Sequence, residues 1–136
     1  MASIADERVA IEKRLSDNWT TTDIAFDNVP YSPSDANYIA LFILPATATQ
    51  NEIQGTNSQI RYVGVITIQI FTATDIGSAT ALGYADTLSA LFRNQQFSYG
   101  SSGTITTRQP QIQRVGVVSG RFQINLSVSY YRDATT

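Results

Sequence analysis

Few of the side chains that usually do chemistry are present in this sequence. It has no His and no Cys, so thiolate nucleophiles, His-based triads and most zinc, copper and haem ligand sets cannot be built from it. Carboxylates remain. Asp23 and Asp27 sit four apart in a segment that alternates like a strand, which puts both on one face. At roughly 3.3 Å per residue they are about 13 Å apart, too far for an acid and base working on one bond. Asp6 and Glu7 fall where a helix begins, and Asp86 borders the apolar stripe of a second helix. A solvent-edge position or a partner arginine accounts for Asp86. No Asp-rich calcium loop, nucleophile elbow, P-loop lysine or dinucleotide fingerprint occurs. We therefore expect no catalytic residue, no cofactor and no metal.

Arginines are the other candidates. Arg61, Arg93, Arg108, Arg114, Arg121 and Arg132 are spread through the second half, and most aromatics near them fall on core faces. A nucleic-acid stacking platform needs aromatics facing outward; Tyr131 is one and Tyr99 a second candidate, so structural ion pairing is the expected use of these arginines. The net charge of −2, from nine basic and eleven acidic residues, is too small to recruit nucleic acid. Residues 1–35 hold seven acids and three bases, and residues 36–136 hold four acids and six bases. That polarity could align copies head to tail, though chance is enough to produce it.

The elements that would position these groups are legible in part. With 136 residues, 43% of them hydrophobic, the chain suits one domain, 1–136, around one core. Ser, Thr, Asn and Gln fill 46 positions, whereas charged residues make up only 15%, which suits sheets with neutral polar faces. The spacing predicts a surface-lying helix over 3–18, with Ile4, Ile11 and Leu15 on its apolar face, Ser3 as cap and acids in the first turn. Its start lacks the apolar run of a secretion signal, and no stretch is long and apolar enough for a membrane span, so a soluble cytoplasmic product is expected.

A short strand over 24–26 is followed by Pro30 and Pro33 in an extended connection, then by an unbroken apolar run, 38–44, read as a central strand. Residues 45–59 contain one large apolar side chain, Ile53, and read as a long connection. We expect it to be an arm that orders against a neighbouring subunit.

Strand 60–71 places Ile60, Tyr62, Gly64, Ile66, Ile68 and Ile70 on one face. Its length suggests that it outruns its own domain, and Gly64 suggests a bulge or a close approach. A helix over 78–93, capped by Asp75 or Ser78, carries Ala81, Leu82, Ala85, Leu88 and Phe92 as its buried stripe. Close packing on a sheet would compensate for Gly83 within it. Hairpins over 96–107 and 111–131 complete the chain, the last with Phe122, Ile124, Leu126, Val128 and Tyr130 facing in. The fold class is α+β: a single mainly antiparallel, mixed sheet with two helices packed on one side.

With no chemistry evident, a long strand and a long polar connection suit a protein whose product is a shape. Three ordered segments carry a resemblance. AFDNVPYSP runs into NYIALFILP; IRYVGVITIQIFTATDIGSATALGYADTLSALFR follows; GRFQINLSVSYYRD closes the chain. Together they resemble the tail-terminator (tail-completion) proteins of long-tailed bacteriophages. The resemblance implies a homohexameric ring that sits on the finished tail tube protein, stops its growth and offers a surface to the head–neck connector protein. It also implies DNA only as cargo passing through the ring, no membrane partner, no cofactor, and residence in the virion tail after assembly in the host cytoplasm. The assembly-interface candidates are Gln50, Glu52 and Ile53 in the connection, with Arg61, Gln69 and Tyr131 on outward strand faces. A head-side connector, a module binding a small ligand between helix and sheet, and a carboxylate hydrolase are the alternatives.

Overall fold

Fifteen residues of β-branched and aromatic alternation organise everything else. The computed structural model describes residues 4–26, 37–50, 59–73, 79–100, 102–118 and 120–135. In it β3 (Gln59–Ala73) is the sheet's axis, with β2 (Tyr38–Gln50) on one side and β7 (Arg121–Thr135) on the other, both antiparallel to it. β1 (Asp23–Phe26) adds to β2 in parallel. β5 (Ile105–Thr107) and β6 (Gln111–Val118) lie end to end along the far edge of β7, and β4 (Gln96–Phe97) pairs with β5. The sheet is mixed, and antiparallel except for β1. All of β3 pairs with β7, from Gln59 opposite Thr135 to Ala73 opposite Arg121, so it does not outrun its partners.

Period-2 alternation sends Ile66, Ile68 and Ile70 to one face, joined across the ladder by Ile39 and Leu41 of β2 and by Ile124, Leu126 and Val128 of β7. These side chains are buried under α1 (Ile4–Asn18) and α2 (Ala79–Phe92), which contribute Ile11, Leu15, Ala81, Ala85, Leu88 and Phe92 to the same core. The core is one-sided. Trp19, just past α1, joins it, with its indole N–H donated to Thr22 Oγ1 at 2.9 Å and its ring edge-on to Tyr84 of α2.

Several expectations are corrected. Ile4 is exposed, because only Ile11 and Leu15 of that stripe reach the sheet. Leu82 is also exposed, since the helix face that meets the sheet is centred on Ala81, Ala85, Leu88 and Phe92, and Leu82 falls on its flank. Gly83 has open space where a Cβ would be, so close packing does not explain it. The connection over 45–59 is shorter than expected: β2 continues to Gln50 and β3 begins at Gln59, and residues 51–58 lie outside the described residues. Pro45 is tolerated because the ladder slips between Pro45 and Thr47, where a bulge frees the chain from donating a hydrogen bond. The caps at Ser3, Asp75 and Ser78 lie outside the described residues, as do Asp27, Glu52 and Ile53.

Gly64 lies opposite Pro45 and beneath the ring of Tyr130, whose hydroxyl would stand 2.5 Å from an added Cβ. Close approach is therefore the reason for this glycine. Gly64→Ala should lower stability by about 1–3 kcal/mol through overpacking. Gly83→Ala, in an open helical position, should raise it by roughly 0.5–1 kcal/mol. Urea titrations of the two variants would show opposite shifts in midpoint; shifts of the same sign would contradict the packing described.

The C-terminus of α2 is tied to the sheet by the Thr107 hydroxyl together with backbone hydrogen bonds of Thr107 and Arg108. Asn94 takes a left-handed turn (φ 50°) that ends the helix. The Thr107 hydroxyl donates to the Phe92 carbonyl, and the Gln95 N–H donates to Thr107 Oγ1 at 2.9 Å. Arg14 of α1 donates from Nε (3.0 Å) and a terminal nitrogen (2.9 Å) to the Leu91 carbonyl, clipping the two helices together.

Candidate assembly interface

The sheet face opposite the helices carries Val63, Val65, Thr67 and Gln69 of β3 beside Tyr131, Ser129, Ser127 and Asn125 of β7. Among the described residues no helix packs on this face, and it is mainly neutral and polar. At one end Arg61 forms a bidentate pair with Asp133, its cross-strand neighbour, at 2.8 and 2.9 Å. The same guanidinium lies 4.4 Å from the Tyr131 ring centre, and Arg108 lies 5.3 Å from that ring. Hydrogen bonding to Arg61 holds the Asp133 carboxyl below the ordinary carboxylate range, and the same bond raises the Arg61 pKa. At the other end Tyr38 stacks on Phe71 at 4.7 Å, with Arg121 over the Tyr38 ring.

Two of the six interface candidates therefore come together, Arg61 and Tyr131. Gln69 is on the same face but eight residues along β3, about 26 Å away at 3.3 Å per residue. Gln50 ends β2, its backbone paired with Ile60; Glu52 and Ile53 are outside the described residues. Asp133 was missed by sequence reasoning, although it shares a face with Tyr131 by the same two-residue period. Ion pairing explains Arg61 and Arg132, and Arg108, Arg114 and Arg121 lie over aromatic rings.

On the helix side one polar cluster is buried. Arg132 of β7, 1% exposed, donates from Nε to Glu7 Oε1 at 2.8 Å and from a terminal nitrogen to the Ser102 carbonyl at 3.1 Å. Its guanidinium lies 4.2 Å from the Tyr62 ring centre. Glu7 is thus not a solvated helix-start acid but the clasp between α1 and β7. Beside the clasp, burial pushes the Tyr130 phenol well above its ordinary pKa, and the nearby Glu7 carboxylate adds to the rise. A cavity of about 250 Å³ opens there between Ile4, Pro45, Ala48 and Tyr62. Among the described residues no three His, Cys, Asp or Glu side chains gather to hold a metal ion, and Asp86 is exposed. No described helix is long and apolar enough to cross a membrane.

Comparison with known proteins gives this shape a context. No curated protein matches the chain in sequence. Among solved structures, one chain with 25% identity matches at a TM-score of 0.77 over 96% of this chain and 95% of its own. A chain from the virion of a native gene transfer agent particle shares the fold at a TM-score of 0.60 and 18% identity, over 97% of this chain and 100% of its own. The family model described as phage tail terminator protein matches residues 8–130. That span takes in most of α1, all of α2 and the whole core from Ala10 to Tyr130, so the chain belongs to the phage tail terminator family, and its role is that of a structural protein of the phage tail.

Proposed function

We propose that the protein caps the phage tail tube as a ring of six copies, ends polymerisation of the tube, and provides the surface on which the head–neck connector docks. The family match over residues 8–130 is the observation that carries this reading. The likeness to a chain of a gene transfer agent virion supports it, since that fold also serves in a virion particle. The whole chain, 1–136, acts as one domain; DNA crosses the ring as cargo, and assembly takes place in the host cytoplasm. Gln50, Glu52, Ile53, Arg61, Gln69 and Tyr131 contribute to contacts with the tube or with neighbouring copies. The neutral polar sheet face suits this role, because such a surface stays hydrated in the free protein and still offers hydrogen bonds to a partner.

The test is electron microscopy of particles lacking the protein. Tails of irregular or excessive length that fail to join heads are the expected result. Tails of normal length, joined to heads, would overturn the proposal.

A further inference from the structure

The register places the two outer strands of the sheet level with one another. Reading across, Ile24 of β1 aligns with Ile39, Ile70 and Ile124, and then with Arg114 of β6. In the next row Ala25 aligns with Ala40, Gln69 and Asn125, and then with Gln113. β1 and β6 therefore bound the same five-stranded slab on opposite sides, and among the described residues neither has a strand on its outer edge. Their directions also suit one another. β1 is parallel to β2, and the three pairings from β2 to β6 are all antiparallel, so β6 runs opposite to β1. A copy placed alongside would bring β6 next to β1 as an antiparallel pair.

β6 is also the strand whose apolar side chains are left uncovered. Ile112 pairs with Leu126 and Val117 with Phe122, which puts both on the helix side, yet they are 45% and 66% exposed. Val115, at the slip in register, is 42% exposed. The helices end their cover over β7. A long edge of this kind invites pairing with another chain unless it is blunted. The outer part of β2 is blunted, by Pro45 and its bulge. The stretch Gln111–Arg114 has no proline and no slip, and neither does Asp23–Phe26; both are four residues long.

Charge favours the same pairing. β6 carries Arg114 and no acid. β1 carries Asp23 and no base. Edges of opposite charge on opposite sides of one sheet make a heterologous, head-to-tail contact, and such contacts generate rings when the rotation closes.

We propose that β6 of one copy adds to β1 of the next, continuing the sheet from subunit to subunit with Ile112 and Val117 covered at the joint. The inference rests on the reading of the protein as a self-assembling ring. Because the chain has no cysteine, a disulfide can report the contact. Within one chain Ala25 and Gln113 stand four strand spacings apart, about 19 Å at 4.8 Å each, beyond the roughly 7 Å limit between Cα atoms for a disulfide. Full-length chains with Ala25→Cys combined with Gln113→Cys or Gln111→Cys should, in oxidised purified tails, run as a ladder of dimers and higher multimers that reductant removes. Each single variant should stay monomeric on the same gel.

Capped tails with no ladder from either pair would overturn this inference and leave the capping function standing. If tails lacking the protein prove normal, the capping function fails instead, and oxidation of the concentrated free double variant then decides the contact alone. Adding Ile112→Glu should abolish the ladder with thermal melting unchanged. A ladder that persists undiminished would also overturn the proposal.

Discussion

Replacing Glu7 by alanine is expected to cost about 3–5 kcal/mol of stability, the usual consequence of stranding one member of a buried ion pair. The side chains of Glu7 and Arg132 are 4% and 1% exposed, so a guanidinium left without its carboxylate has no route to water. The Ser102 carbonyl and the Tyr62 ring would remain as its neighbours, and neither carries a compensating charge. For a domain whose total stability is of order 5–15 kcal/mol, the loss would leave α1 only loosely held. Replacing both partners by methionine should recover most of the loss, because the desolvation cost of two charges disappears with them. Urea unfolding of the two variants is the measurement. A Glu7→Ala midpoint matching that of the unaltered chain would show that the clasp contributes nothing.

Core truncation at the sheet axis should be comparably severe. Ile68 and Leu126 are both fully buried and face one another across the β3–β7 ladder. Ile68→Ala or Leu126→Ala should each cost about 2–5 kcal/mol, since the packed helices cannot collapse fully into the cavity. Because the two side chains are neighbours, the double variant should depart from additivity by 0.5 kcal/mol or more, roughly. Gln69→Ala, one position along but on the opposite face, should stay within about ±0.5 kcal/mol. Equal losses at Ile68 and Gln69 would mean that the two faces of β3 are assigned wrongly.

The sequence by itself determined which residues share a face and where the long elements run. Isoleucine alternation along β3, the inward set on β7 and the Ala81–Ala85–Leu88–Phe92 stripe are all local patterns, and a period of 2 or 3.6 reveals them without a partner. The family resemblance was legible for a related reason: it resides in short segments whose order survives without coordinates.

Tertiary structure alone decided which faces are covered and by what. Leu82 and Ile112 are apolar and on the helix side, yet exposed, because cover depends on where a helix lies over a sheet rather than on the strand or helix beneath. Glu7 became a buried clasp because Arg132, 125 residues away, needs a carboxylate inside, and no local pattern announces that distance. Pro45 sits in a strand because a bulge spares it a hydrogen bond that the ladder would otherwise require. Periodicity reports the direction of a side chain; burial and pairing belong to contacts between segments far apart in the chain.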